Sequence, residues 1–578
     1  MLSYFWLEKN SWIKQDFKSQ SSNVMGTLEK VLILMLIGSC SGIAPQPHIV
    51  FMIVDDLGWN DVSFHGSKQI PTPNIDAIAK DGVILNNYYV SPTCSPSRGS
   101  LMTGKYPIRI GFQHEVIIAN TPWGLPLDEK ILPQYLKSLN YETHAVGKWH
   151  LGFFKEEYLP MKRGFDSFFG YYTGVEDYFT HFSNVRNITG LDLHDNFKNA
   201  WEYNGTYGTE LFTSKARKVI MEHNPSKPLF LYIGQQAPHS GNFNKAIQVP
   251  DKYVRPLSAI VDEKRRKFAG MVSALDHSVG EIFDALEKSR MLDNTIFIFT
   301  TDNGGAVEGT DGAMGSNFPL KGSKYNLWEG GVRAVGFIWS PVLRPRSRVY
   351  NGMMHISDWL PTLLSAAGAR GFKKLEGIDG VDLWPSIVHN LPSPRREILH
   401  NIDPVDKVEG IRWNNFKLVK GSYYEGRFDG WYDKNGKLIK EIPLPVPKLR
   451  QKLYKRTYMK FLKRSKAARI LWRKYGKDPR AAFVCHHLPG CKELEVKCGG
   501  FPPLRNANTC KPKEGPCLFD IIRDPCEYHN IAEQLPEITA QLEAALNKYR
   551  PLAKDPAGQP PDPKADPKFH GNAWMPWK

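Results

Sequence analysis

Four apolar runs limit what this chain can fold into, because each is short, strand-like and followed at once by a residue able to do chemistry. HIVFMIV stops at Asp55, ETHAV at Gly147 just ahead of Lys148, PLFLYIG ahead of the loop carrying His239, and TIFIFTT at Asp302. Runs of this length and character read as strands buried on both faces. Helical segments alternate with them: one begins near Asp128, another spans Glu263 to Arg290, and Ser357 to Ala367 is stopped by Gly368. That alternation predicts a mostly parallel sheet with helices on both faces, in which ligands collect beyond the carboxyl ends of the strands. The runs therefore bring Asp, Lys with His, a second His, and Asp with Asn toward one end of one sheet.

With 578 residues, 42% of them hydrophobic, the chain holds one large core and a smaller second one, which disfavours a purely structural or disordered role. The expected division is an upstream stretch and leader over residues 1–44, a catalytic domain over 45–400, a smaller α+β domain over 401–550, and an extended, mobile tail over 551–578. The smaller domain is read from short strand-like pieces in GIRWNNFKLVKG and a helix from Pro536 to Arg550. The run VLILMLIG is far shorter than the roughly 20 apolar residues of a stable membrane span, but it suits a signal-peptide core followed by Ser39, Cys40, Ser41 and Gly42. Its lead-in, MGTLEK, makes Met25 the expected start of translation and Ile43 the approximate start of the mature chain. The expected address is the secretory pathway, lysosomal or extracellular, and Asn187 and Asn204, in NIT and NGT, fit it as glycosylation acceptors.

Of eight cysteines, Cys40 leaves with the leader and six crowd between Cys485 and Cys526, which in a secreted chain reads as a disulfide-stapled segment. A zinc site with His486 and His487 is the alternative, and the sequence does not choose a pairing. Just before this segment, residues 447–480 carry 14 Lys and Arg against one Asp, a net +13 of the chain's formal +16. Two readings stand for this block: a patch for polyanions or an anionic membrane surface, with Tyr454, Tyr458, Phe461, Trp472 and Tyr475 interleaved, or a solvated helical insertion. The secretory address argues against nucleic acid as a partner.

The remaining cysteine is Cys94, in Cys94-Ser95-Pro96-Ser97-Arg98, which matches C-x-P-x-R, the short signal for oxidation of a cysteine to formylglycine. Ser95-Pro96 reads as a helix start, so a group at position 94 meets the partial positive charge of a helix amino terminus. Arg98, one turn on, keeps its charge and is placed to fix the modified side chain or metal ligands; Lys105 reads as surface. Asp55 with Asp56, and Asp302 with Asn303, are hard oxygen donors of the kind Ca²⁺ or Mg²⁺ takes, and adjacent carboxylates repel without a cation. Taken alone, Asp55-Asp56 reads equally as a cap or turn. Lys148 and His150, in GKWHLG, alternate along an extended segment and so share a side. His239 in QQAPHSG and Lys321 in PLKGSKYNLWEGGVR gain weight only from this company.

From about Pro45 to Pro404 the chain resembles the type I sulfatases, specifically the arylsulfatase B or N-acetylgalactosamine-4-sulfatase group. The resemblance is carried by VDDLGWNDVSFHG, CSPSRGSLMTGKYPIRIG, GKWHLG, TTDNGG, LWEGGVR and HISDWLPTLL in that order, with GPCLFDIIRDPCEYHNI similar to the family's terminal signature. It implies an α/β fold of the alkaline phosphatase superfamily, a mixed sheet flanked by helices with a smaller α+β carboxy-terminal domain. It implies one Ca²⁺ held by Asp55, Asp56, Asp302, Asn303 and a formylglycine at Cys94, which a formylglycine-generating enzyme would install. One hydroxyl of the hydrated aldehyde would attack sulfur and the other would expel sulfate by elimination. His239 is implied as the acid for the leaving alcohol, Lys148 and Lys321 as sulfate clamps, Arg98 as support for the formylglycine, and His150 as its hydrogen-bond partner and base. The implied substrate is a sulfated sugar of a glycosaminoglycan such as dermatan or chondroitin sulfate. Two stretches depart from that group, the loop SGNFNKAIQVP after His239 and the basic block with its cysteines, and in this fold loops over the pocket set specificity. A catalytically idle glycosaminoglycan-binding protein and a phosphodiesterase of the same fold are the competing expectations.

Overall fold

In the first strand, β1 (His48–Asp55), Ile49, Phe51 and Ile53 pack into one buried cluster while Val50, Met52 and Val54 pack into another. A pleated strand sends consecutive side chains to opposite faces, so a strand covered on both must be apolar throughout. The computed structural model describes residues 46–242, 245–369, 375–441, 447–476, 491–503 and 510–578. The leader, Met25, Cys40, Cys485, His486 and His487 lie outside the described residues.

β1 belongs to a ten-stranded sheet with β2 (Val83–Leu85), β3 (Glu142–Lys148), β4 (Ser167–Tyr171), β5 (His194–Asp195), β6 (Lys198–Asn199), β7 (Leu229–Pro238), β8 (Thr295–Thr301), β9 (Gly336–Trp339) and β10 (Arg348–Tyr350). The order is β10-β2-β9-β8-β1-β7-β3-β4-β5-β6. The central strands β8, β1, β7, β3 and β4 are parallel, and antiparallel pairs appear toward both edges, so the sheet is mixed. The strand expected to stop before Gly147 continues through it to Lys148. Gly147 has φ +96°, and a Cβ there would lie 2.0 Å from the Gly234 carbonyl oxygen, so only glycine fits between β3 and β7.

Among the helices that cover the sheet are α1 (Pro73–Asp81), α2 (Cys94–Thr103), α3 (Leu132–Lys137), α4 (Gly208–Glu222), α5 (Glu263–Lys288) and α6 (Trp359–Ala366). α1, α4 and α5 share the cluster of Val50; α2, α3 and α6 share that of Ile49. The helix expected near Asp128 starts only at Leu132, because Pro126 to Glu129 forms a turn and Pro133 seeds the first helical turn.

The smaller domain begins at Glu397, slightly ahead of the boundary drawn at His400. Its four-stranded antiparallel sheet is β11 (Glu397–Asp403), β12 (Val408–Trp413), β13 (Phe416–Lys420) and β14 (Cys517–Asp520). One face packs Leu399, Ile411, Leu418 and Leu518 against Leu542 and Leu546 of a carboxy-terminal helix, Pro536–Tyr549. The other packs Ile398, Val419 and Phe519 against Leu327, Trp328 and Val332 of the catalytic domain. Disulfides join Cys498 to Cys526 and Cys510 to Cys517, in line with the stapled reading for these four cysteines. The tail is extended but anchored, contrary to the mobility its composition suggests. Trp574 is fully buried, its indole N–H donates to the Ser183 carbonyl at 3.1 Å, and the Lys554 amide donates to the Ile108 carbonyl at 2.8 Å.

Candidate active site

β1 and β8 are parallel neighbours in register, with Val54 opposite Thr301, so the residues just beyond them emerge side by side. Asp55, Asp56, Asp302 and Asn303 are all fully buried there. Asp56 turns out of the sheet at φ +62°, a left-handed conformation that Asp tolerates better than most residues. Its backbone N–H reaches Asp302 Oδ1 at 3.4 Å, and Asn303 Nδ2 donates to Asp56 Oδ1 at 2.7 Å.

α2 starts at Cys94, whose thiol lies 3.5 Å from Asp55 Oδ1. Burial, reinforced by the Asp55 charge, pushes that thiol well above its ordinary range. An unmodified Cys94 is therefore a protonated thiol and a poor nucleophile. One turn along, the fully buried Arg98 donates through Nε and Nη2 to Asp302 Oδ2 at 3.0 and 2.8 Å, and through Nη1 to the Tyr232 hydroxyl at 3.0 Å. Lys148, at the end of β3, donates to Asp55 Oδ2 at 2.6 Å.

His239, just past β7, holds Nδ1 2.7 Å from the Ser240 carbonyl, so Nδ1 carries the proton and Nε2 faces the cluster. Lys324 Nζ meets that nitrogen at 3.2 Å and donates to Asp56 Oδ2 at 2.9 Å and Asp311 Oδ2 at 3.0 Å. His150 adopts φ +56°, which breaks the expected extended alternation with Lys148, yet it still lines a cavity together with Cys94. Its Nε2–H donates to the Ile117 carbonyl at 2.9 Å, leaving Nδ1 buried with no hydrogen-bond partner among the described residues. Burial, with Lys148 nearby, keeps this imidazole neutral far below its usual pKa. Cys94, His150, His239, Lys324, Asp311, Tyr325 and Arg186 line a cavity of about 620 Å³, whose wall also includes Val116, Ile118 and Ala119.

Burial alone would raise Asp55, but Lys148, His239, Arg98 and Lys324 hold it well below the usual carboxylate range. Asp302 goes the other way, pushed up to about 7 by burial and by Asp55 despite Arg98. Asn303 Oδ1 is buried and accepts no hydrogen bond among the described residues. Three carboxylates, an idle carboxamide oxygen and an adjoining Cys94 are a donor set for a hard divalent cation, and Asp55, Asp56, Cys94 and His239 present ligand atoms within 4.8 Å of one another.

The fold thus gathers Asp55, Asp56, Cys94, Arg98, Lys148, His150, His239, Asp302 and Asn303 at one end of the sheet. It does not bring Lys321 there. The Lys321 ammonium lies 3.5 Å from the centre of the Trp328 ring and 4.8 Å from that of Trp431, where burial lowers it to about 8. Gly322, at φ +87°, turns the chain between the two lysines of KGSK, and Lys324 takes the place expected of Lys321. The motif contained both lysines and no rule of spacing separates them. Asp311, Tyr232 and Tyr325 also join the site, from positions without a local pattern that marks them. Lys105 lies elsewhere, paired with Glu129 at 2.6 Å.

Comparison with known proteins agrees with this geometry. The sulfatase family model matches residues 47–369. Arylsulfatase J of Mus musculus is 37% identical over 540 residues, covering 92% of this chain and 80% of its own. N-acetylgalactosamine-6-sulfatase of Canis lupus familiaris is 32% identical over 379 residues, covering 61% of this chain and 69% of its own. Among solved structures, Ps i-CgsB superposes with a TM-score of 0.65 at 27% identity, covering 89% of this chain and 94% of its own.

Proposed function

The chain belongs to the sulfatase family and is a sulfuric ester hydrolase; from that premise we propose that it removes sulfate from N-acetylgalactosamine residues of glycosaminoglycans, using a formylglycine made from Cys94 and one Ca²⁺ held by Asp55, Asp56, Asp302 and Asn303. The observation that carries this reading is the convergence of Cys94, three carboxylates and three cations at the strand ends, with Cys94 and Lys324 lining the adjoining cavity. When bound, the ion would supply positive charge to a sulfate ester, and a hydrated formylglycine at position 94 would supply one hydroxyl as the nucleophile and a second through which sulfate would leave.

The chain's own residues do the rest. Lys148 and Lys324 add fixed positive charge where the sulfate sits, and preorganised charge of this kind is usually the largest catalytic term. Arg98 pins Asp302 and so holds the oxygen donors in place. His239 presents Nε2 to the cavity, from which a protonated ring passes its proton to the departing sugar oxygen. His150 Nδ1, without a hydrogen-bond partner among the described residues, keeps a free lone pair at the cavity that Cys94 also lines and would accept a proton there. Val116, Ile118 and Ala119 give the cavity wall an apolar portion, where charges interact more strongly than in water.

Relatives named for N-acetylgalactosamine-6-sulfate hydrolysis support an amino sugar, and the arylsulfatase B-like motifs support the 4-sulfate position. The proposed location is the lysosome or the extracellular space. Replacing Cys94 by serine should reduce turnover of a chromogenic aryl sulfate by about 10³-fold or more while leaving the thermal unfolding midpoint unchanged. Retained turnover would refute the mechanism. Sulfate release from 4-sulfated against 6-sulfated N-acetylgalactosamine oligosaccharides then decides the position.

A further inference from the structure

The basic block folds into two helices, α7 (Lys448–Leu462) and α8 (Lys466–Tyr475), with sharply different faces. The inner face is aromatic and aliphatic: Tyr454, Tyr458, Leu462, Ile470 and Leu471 are buried against the cluster built on α1 and α5. Hydrogen bonds fix the docking, from the Tyr458 hydroxyl to Asp76 Oδ2 at 2.7 Å and from Ser465 Oγ to Asn74 Oδ1 at 2.8 Å. At the seam the cations are spent on α5 and the segment after it, Lys466 on Glu281 and Asp284, and Lys474 on Glu287 and Asp293. The solvated reading therefore fails for the inner face, and most of the interleaved aromatics serve packing.

The outer face of α7 is different. Arg450, Lys452, Arg456, Lys460, Lys463 and Arg464 are exposed, and among the described residues none of them is paired with a carboxylate. α7 contains no acidic residue, and two of its cations, Lys448 and Arg450, stand at its amino terminus, where the helix dipole already carries partial positive charge. Lys452, Arg456, Lys460 and Lys463 recur at three- and four-residue intervals, which places them along one side of the helix over roughly 16 Å. Like charges at this spacing repel, and no residue of the helix relieves them.

We propose that this face of α7 is a docking surface for a sulfated polysaccharide chain, separate from the cavity at Cys94. A rigid row of uncompensated cations matches a flexible polyanion with regularly repeated sulfates. An anionic membrane is the poorer match, because a membrane-surface helix needs a free apolar face and this one is consumed by packing; Leu449 and Trp472 are the large apolar side chains left exposed on the two helices. The surface does not depend on which ester the cavity hydrolyses, so it stands or falls apart from the proposed substrate.

The test uses the full-length secreted protein with Lys452, Arg456, Lys460 and Lys463 all changed to alanine. Its reference is a variant with four exposed lysines changed elsewhere, Lys218, Lys252, Lys264 and Lys568. The first should leave a heparin column at roughly half the salt concentration of the unmodified protein, since exposed charge contacts are screened by salt. The second should elute near the unmodified position, and both should hydrolyse a small aryl sulfate normally. Equal elution of the two variants would overturn the proposal. So would stripe-dependent binding to phosphatidylserine vesicles without stripe-dependent binding to heparin.

Discussion

Lys321 and Lys324 belong to the same glycine-bounded motif, yet they enter two different buried charge assemblies. Lys324 joins the cluster at the strand ends, where it bonds Asp56 and Asp311 and faces a cavity of about 620 Å³. Lys321 joins the seam between the catalytic domain and the small sheet, stacked between Trp328 and Trp431. Nearby in that seam, Lys417 meets Glu329 at 3.0 Å and Glu527 at 2.9 Å, all three fully or almost fully buried. Both assemblies draw charged groups from distant segments and both perturb their protonation. They differ in what the charges face. At the strand ends a carboxamide oxygen is idle among the described residues and a cavity adjoins; at the seam the charges face one another and aromatic rings. Buried charge by itself is therefore a poor marker of chemistry, and the marker is charge with unmet capacity beside a cavity.

The sharpest way to break this comparison is to exchange the fates of the two lysines. Lys324→Ala should lower kcat/KM for an aryl sulfate by about 10²–10³-fold, the cost typical of losing one preorganised charge contact. Lys321→Met should leave kcat/KM unchanged and lower the thermal midpoint, because it removes a cation stacked on two indole rings. Kinetics and thermal unfolding on both variants check this, and the reverse pattern would transfer the catalytic assignment to Lys321.

This pair also shows how far the sequence could be read. The central strands were legible because burial on both faces demands continuous apolar residues, and Asp55, Asp302 and His239 were legible because they follow such strands directly. Cys94 and Arg98 were carried by a local motif. Lys324 was not separable from Lys321, since a left-handed turn at Gly322 decides which ammonium points inward. Asp311 and Tyr232 reach the site through tertiary packing alone, and the anchoring of the tail by Trp574 depends on a buried slot formed by residues far away in sequence. The basic block was legible as charge, but its two faces became distinct only once α1 and α5 were in place.

The seam can be broken separately. Lys417→Met would remove the cation that bonds both buried Glu329 and Glu527, which should cost about 3–5 kcal/mol in denaturant unfolding. Aryl sulfatase activity of the folded fraction should persist. Activity lost in proportion to the Lys324 variant, at full stability, would show that the two assemblies are one functional unit.

A smaller effect concerns pH. Burial pushes Glu527 up to about 7, against the pull of Lys417 and with the help of Glu329. A carboxyl raised in the folded state favours folding most below its unfolded pKa of about 4.5, and this contribution is lost as pH rises toward 7. Glu527→Gln should therefore flatten the decline in stability between about pH 4.5 and 7 that this group causes, measured as unfolding midpoints across that range. An unchanged slope would mean that the seam holds Glu527 ionised.

The most direct test of the central claim, that the cavity at the strand ends is built around a modified Cys94, is mass spectrometry of the proteolytic peptide containing position 94 from the purified full-length protein. An aldehyde in place of the thiol is expected in the active fraction, reactive toward carbonyl-specific reagents. Unmodified cysteine throughout, in protein that still hydrolyses an aryl sulfate, would contradict it.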